Sequence, residues 1–150
     1  MPQVTVQVEA LTEVTDEVVE AFARLLPQVS TRAVPLDRAA LTAIAQSQAV
    51  TLLVARSGGQ IIGSLSLAMF RVPSGVRAWI EDVVVDQQAR RQGAGRALVS
   101  EALSIASKAG ARTVDLTSRP SRMAAGNLYE QVGFVLRDTR VYRRSPEGAD

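Results

Sequence analysis

The stretch from Trp79 to Gly95 reads Trp-Ile-Glu-Asp-Val-Val-Val-Asp-Gln-Gln-Ala-Arg-Arg-Gln-Gly-Ala-Gly, and it constrains the fold more than any other part of the chain. Its apolar, β-branched half suits a strand covered on both faces. The polar half, with glycines at 93 and 95, leads into Leu98, Ala102, Ile105 and Ala109 at helical spacing, a stripe that Val99, Leu103 and Ala106 widen. A buried strand that passes through a short loop into a helix presents the unpaired N–H groups and positive dipole end of that helix at the strand's carboxyl end. The glycines let a ligand approach the backbone closely. The junction therefore reads as an anion site suited to a phosphate or pyrophosphate.

Two familiar phosphate loops fit this junction badly. A P-loop needs Gly-Lys followed by Ser or Thr, whereas Gly95 is followed by Arg96-Ala97. A dinucleotide fingerprint needs a third glycine, which falls here on Leu98. The pattern Arg90-x-x-Gly93-x-Gly95 instead resembles the acyl-coenzyme A loop of the GNAT superfamily of N-acetyltransferases. A second, separate stretch, Leu128-Tyr129-Glu130-x-x-Gly133-Phe134, resembles the signature that closes the last helix of the same family. Taken alone, Leu128 and Val132 also suit an ordinary helix face and Gly133 a simple C-cap.

The composition removes several chemistries. The 150-residue chain has neither cysteine nor histidine, so disulfides, thiolate or His-ligated metals, a Cys nucleophile and a Ser-His-Asp triad are excluded. No metal site is expected. Acid–base work falls to carboxylates, tyrosine or Lys108, the only lysine beside sixteen arginines. A net charge of +2 with 4% aromatic residues argues against a nucleic-acid partner, because such a footprint needs a basic face with stacking or groove-reading elements. An Arg-rich RNA-associated domain remains a contrasting reading, which predicts strongly salt-dependent binding. No apolar run spans a bilayer and Met1-Pro2-Gln3 opens no signal-peptide pattern, so the expectation is a cytoplasmic protein with no membrane partner. With 47% apolar residues, residues 1–150 are expected to form one domain with a polar tail from Ser145 to Asp150.

The pattern along the chain predicts the remaining elements. Val4, Val6 and Val8 alternate with polar residues as a first strand. Thr15-Asp16-Glu17 starts a helix with Val18, Phe22, Leu25 and Leu26 on its apolar face, and Pro27 is expected to end it. Asp37 caps a second helix carrying Leu41, Ile44 and Ala45. Strands at Thr51–Arg56, Ile61–Met69 and Arg77–Val85, joined by turns at Gly58-Gly59 and Pro73-Ser74-Gly75, form an antiparallel meander. A helix capped by Gly110, a strand at 113–117, a helix at about 121–132 and short strands near 134–137 and 139–144 complete the chain. The passage from the long strand through the helix to 113–117 predicts a right-handed parallel crossover. The order β-α-α-β-β-β-α-β-α-β-β is that of the GNAT fold, an α/β architecture with a mixed sheet whose parallel strand pair splays apart.

The resemblance implies an N-acetyltransferase that moves an acetyl group from acetyl-coenzyme A, its co-substrate, to a primary amine by direct attack in a ternary complex. The backbone of Val83, Val84 and Val85 would pair with the pantetheine arm, and N–H groups from Arg91 through Gln92, Gly93, Ala94 and Gly95 to Arg96 would hold the pyrophosphate. Arg90, Arg91 and Arg96 are the side chains singled out for phosphate contact. Tyr129 is the expected acid for the departing thiolate. Glu81 and Asp82 are the candidate bases. In a regular strand they point to opposite faces, with Glu81 sharing a face with Trp79, Val83 and Val85, unless a bulge intervenes. Glu81 is favoured over Asp82 as the base for its longer reach, and a surface ion pair with Arg77 or another arginine is the alternative role for the two carboxylates. Relatives place Asn where this chain has Arg122, which either replaces a phosphate contact or is a solvated helix residue. The acceptor, a small molecule or a peptide, is not encoded legibly in Gln28–Pro35 or Arg71–Val76, and a homodimer is compatible with the resemblance. A catalytically idle acyl-coenzyme A sensor or partner-binding module on the same fold is the competing function.

Overall fold

The computed structural model describes residues 5–146. Val4 of the expected first strand and the end of the expected tail, residues 147–150, lie outside them. The elements run β1 (Val6–Ala10), α1 (Asp16–Val29), α2 (Arg38–Ala45), β2 (Val50–Ser57), β3 (Gln60–Val72), β4 (Gly75–Val85), a 3₁₀ turn (Gln87–Ala89), α3 (Ala94–Lys108), β5 (Thr113–Asp115) and α4 (Met123–Gln131). The strands form one sheet in the order β1-β2-β3-β4-β5, antiparallel except for the parallel pair β4–β5. This is the mixed α/β architecture expected.

Local chemistry sets the helix ends. The Thr15 hydroxyl accepts from Val18 N–H at 3.4 Å and the Asp37 carboxylate from Ala40 N–H at 2.8 Å, each satisfying a donor that the first helical turn leaves unpaired. At the end of α3, Gly110 N–H bonds to Ser107 O and Ala111 N–H to Ala106 O, the paired bonds of a Schellman cap. Pro27 does not end α1, which continues to Val29. Lying in the last turn, it removes only the hydrogen bond to the Ala23 carbonyl, while Ser30 N–H still closes on Leu26 O at 3.1 Å.

Two apolar layers sandwich the sheet. On one face α3 lays Leu98, Val99, Ala102 and Ala106 against Leu53, Leu65, Leu67, Ala78 and Ile80, with Leu128 and Tyr129 of α4 packed at the border. On the other, Val18, Phe22 and Leu25 of α1 and Leu41 of α2 cover Leu52, Val54, Ile61 and Val84.

Two departures matter for the site. The parallel pairing of β4 with β5 covers only Arg77↔Thr113 to Trp79↔Asp115, so β5 is shorter than the expected 113–117 and β4 runs on to Val85 without a partner on that side. The sheet therefore parts between the two strands. The expected strands at 134–137 and 139–144 are not formed among the described residues, and Val135, Leu136, Val141 and Tyr142 are exposed. A two-stranded ribbon is marginal unless it lays an apolar face on something, and a three-residue edge strand gives it little to pair with.

Candidate active site

At the carboxyl end of β4 the chain makes the turn Gln87–Ala89, then enters α3 through Arg91 (φ 69°) and Gly93 (φ 83°), both in the left-handed region. Gly93 is the N-cap residue of α3 and has no side chain to cap with; Ala97 N–H makes the first intrahelical bond, to Gly93 O at 3.0 Å. The N–H groups of Ala94, Gly95 and Arg96 are thus left for a ligand. Gly95 lies against the core: a Cβ there would sit 3.3 Å from Leu128 Cδ2, a tight contact, and 3.7 Å from Val85 Cγ2, an ordinary one. Arg90, Arg91 and Arg96 are exposed, and none is ion-paired among the described residues. Ala94 is buried in the core, and the Gln92 side chain accepts a 2.9 Å hydrogen bond from the Ser57 hydroxyl, tying the loop to the β2–β3 hairpin.

A network that sequence reasoning missed holds the loop from the other side. Asp86, buried at the end of β4, accepts from Gln88 N–H at 3.1 Å and from Arg24 Nε of α1 at 2.9 Å. Arg24 also donates to Ile61 O at 2.7 Å, and Gln28 accepts from Gln87 N–H at 2.9 Å. The Gln88 N–H foremost, with help from Arg24, holds the Asp86 carboxyl below the usual carboxylate range, against the opposing effect of burial. Asp86 had a local signal, a capping residue ahead of a turn. Arg24, 62 residues away, had none.

The two candidate bases meet at a bulge. Ser64 pairs with Val84 and Ser66 with Glu81, so the single residue Leu65 faces both Asp82 and Val83, and Asp82 adopts φ 51°. The extra residue reverses the alternation: Ala78 and Ile80 before the bulge, and Val83 and Val85 after it, all face the α3 layer. Glu81 therefore does not share a face with Val83 and Val85 as regular alternation predicts. It lies on the face of its cross-strand partner Ser66, the α1–α2 face, which Asp82 and Val84 also present. Both carboxylates are exposed, and neither pairs with Arg77 or any other cation among the described residues.

On that same face lies a cavity of about 50 Å³ between α1, α2 and the sheet, walled by Phe22, Leu25, Leu41 and Ile44, with Ser66 and Asp82 among its sheet-side residues. On the opposite face Tyr129 is half-buried, its ring edge-on to Phe134 at 5.8 Å, and its hydroxyl has no hydrogen-bond partner among the described residues. Burial pushes the phenol up from its ordinary value, while the positive charge of Arg122 acts in the other direction. Arg122 is the exposed N-cap residue of α4. The parted strands thus have a helix start without a side-chain cap at one end, a phenol on the α3 side, and two carboxylates with a cavity on the α1–α2 side.

A mixed sheet with this parting and an uncapped helix start at the end of β4 is the arrangement that the resemblance to the GNAT fold implies. The chain belongs to the acetyltransferase (GNAT) family, whose sequence model matches residues 14–134. A transcriptional regulator from Bacillus halodurans C-125 superposes with a TM-score of 0.77 at 27% identity over 94% of this chain and 100% of that one. An acetyltransferase from Trypanosoma brucei gives 0.75 at 26% identity, with coverages of 94% and 100%. An aminoglycoside N-acetyltransferase in complex with coenzyme A shares the fold at 16% identity, with a TM-score of 0.75 over 95% of each chain. No curated protein matches the chain in sequence.

Proposed function

We propose that the protein is an N-acetyltransferase that carries an acetyl group from acetyl-coenzyme A to a primary amine. The observation that carries this reading is the uncapped start of α3, with Gly93 and Gly95, placed at the end of an unpaired stretch of β4. Acetyl-coenzyme A supplies the activated acetyl group. The N–H groups of residues 91–96 hold its pyrophosphate, with Arg90, Arg91 and Arg96 adding charge, and the open backbone of Val83–Val85 takes the pantetheine arm as an added strand. A main-chain N–H near Val83 stabilises the negative charge that develops on the carbonyl oxygen.

The amine arrives protonated at neutral pH. Asp82, an exposed residue that lines the cavity, binds it and takes its proton directly or through water, with Glu81 as the second carboxylate on that face. The freed nitrogen forms the C–N bond and loses its second proton to water, the C–S bond breaks, and Tyr129 gives its proton to the leaving sulfur. Tyr129 is then reprotonated from solvent. The net release is one proton per amide formed. A phenol is protonated at neutral pH, as an acid must be, and burial pushes Tyr129 further in that direction. No metal and no nucleic acid enters this scheme, and we place the activity in the cytoplasm.

A non-catalytic acyl-coenzyme A sensor is the second reading, favoured by the Bacillus halodurans neighbour being a transcriptional regulator. The unpaired Asp82 and the free Tyr129 hydroxyl favour catalysis. Release of coenzyme A thiol from acetyl-coenzyme A with a panel of amines decides: amine-dependent release supports the transferase, and tight cofactor binding without release for any acceptor supports the sensor.

A further inference from the structure

We infer that the acceptor is a monoamine with a short aliphatic tail, its ammonium on Asp82 and its tail in the cavity between α1 and α2. This inference rests on the acetyltransferase reading and names its substrate class. Phe22, Leu25, Leu41 and Ile44 form an apolar wall, and an apolar wall rewards hydrocarbon. Among the sheet-side groups, the Ser64 hydroxyl is already committed to Leu53 O at 2.9 Å, which leaves the Ser66 hydroxyl and the Asp82 carboxylate for a ligand.

Among the described residues Asp82 is the only charged one that lines the cavity, and it recognises one ammonium. Two of the three acidic residues of α1 are engaged, Asp16 with Arg38 and Glu17 with Arg56, while Glu20 and the neighbouring Glu81 are exposed but do not line the cavity. Asp86 is engaged with Arg24. The chain's net charge of +2 gives a polycation no long-range attraction. Size limits the tail. A cavity of about 50 Å³ is far smaller than the ~150 Å³ that accommodates benzene, so a short alkyl chain enters and an aryl ring does not.

The test is thiol release across the series ethylamine to hexylamine, alongside spermidine, an aminoglycoside and a lysine-containing peptide. Each added methylene that enters the cavity is expected to raise kcat/KM about fourfold, until the tail outgrows the space and the value falls. Ser66→Leu, which fills the sheet side of the cavity, is expected to shift the optimum to a shorter amine without changing acetyl-coenzyme A affinity by calorimetry. A flat response to chain length, or preference for the polyamine, aminoglycoside or peptide, overturns the inference and leaves the transferase reading intact. Cofactor binding with no thiol release for any amine overturns both. Should Ser66→Leu fail to fold, the wild-type series alone decides.

Discussion

Nε of Arg24 on α1 donates a 2.9 Å hydrogen bond to the carboxylate of Asp86, which follows β4 and caps the turn that leads to α3. The pair ties α1, which walls the apolar cavity, to the loop that leads into α3, so on the proposed function a change at either end is felt at both the acceptor and the cofactor side. Asp86→Asn keeps the shape and removes the charge. It is expected to lower stability by about 1.5–3 kcal/mol, the range for a hydrogen bond to a charged group, and to raise KM for acetyl-coenzyme A more than it lowers kcat. Chemical denaturation and steady-state kinetics measure the two effects.

The same carboxylate sets an acid limit. Its folded-state pKa is lowered, so its stabilisation is fully present above the unfolded value of about 3.9 and is lost as pH falls through the folded value. As pH falls below about 4 the melting temperature of the wild type should therefore fall more steeply than that of Asp86→Asn, and the two curves should converge once the pH is below the folded value. Parallel curves would remove Asp86 from the acid response.

Tyr129→Phe retains the ring that packs against Phe134 and deletes a hydroxyl with no partner among the described residues. Turnover should drop at least tenfold, a loss of about 1.4 kcal/mol of transition-state stabilisation, while stability changes by less than about 1 kcal/mol. Unchanged turnover rejects the acid role.

At the bulge, Asp82→Asn is expected to lower kcat/KM for amines at least tenfold and to leave acetyl-coenzyme A affinity unchanged. Glu81→Gln, on the same face but not lining the cavity, should cost less. The reverse ranking would make Glu81 the base.

Much of this molecule was legible in its sequence because the signals were local. Thr15 and Asp37 announce helix starts through their side-chain oxygens, and Gly58-Gly59 and Gly110 mark a hairpin and a helix end. The glycine-bearing turn into α3 was readable for the same reason, since spacing and backbone chemistry suffice to define it. What escaped depends on partners distant in the chain. The bulge at Asp82 is created by the register against Ser64 and Ser66, and a non-glycine residue in the left-handed region carries no reliable mark of it. Arg24 was one of sixteen arginines until the fold placed it beside Asp86. Pro27 misled because its cost depends on how much helix follows it, and only two residues do. The β-prone run after Gly133 had the composition of strands but no adequate edge to join.

The most direct measurement is a calorimetric titration of acetyl-coenzyme A into the wild type and into Gly95→Val. The added side chain would press on Leu128 and Val85 and push α4 from the start of α3. One site per chain is predicted, with a Kd on the order of 1 μM to 1 mM for the wild type and at least tenfold weaker binding for a folded Gly95→Val. No heat with well-folded wild type, or equal affinity in the two proteins, would contradict a nucleotide grip at the start of α3.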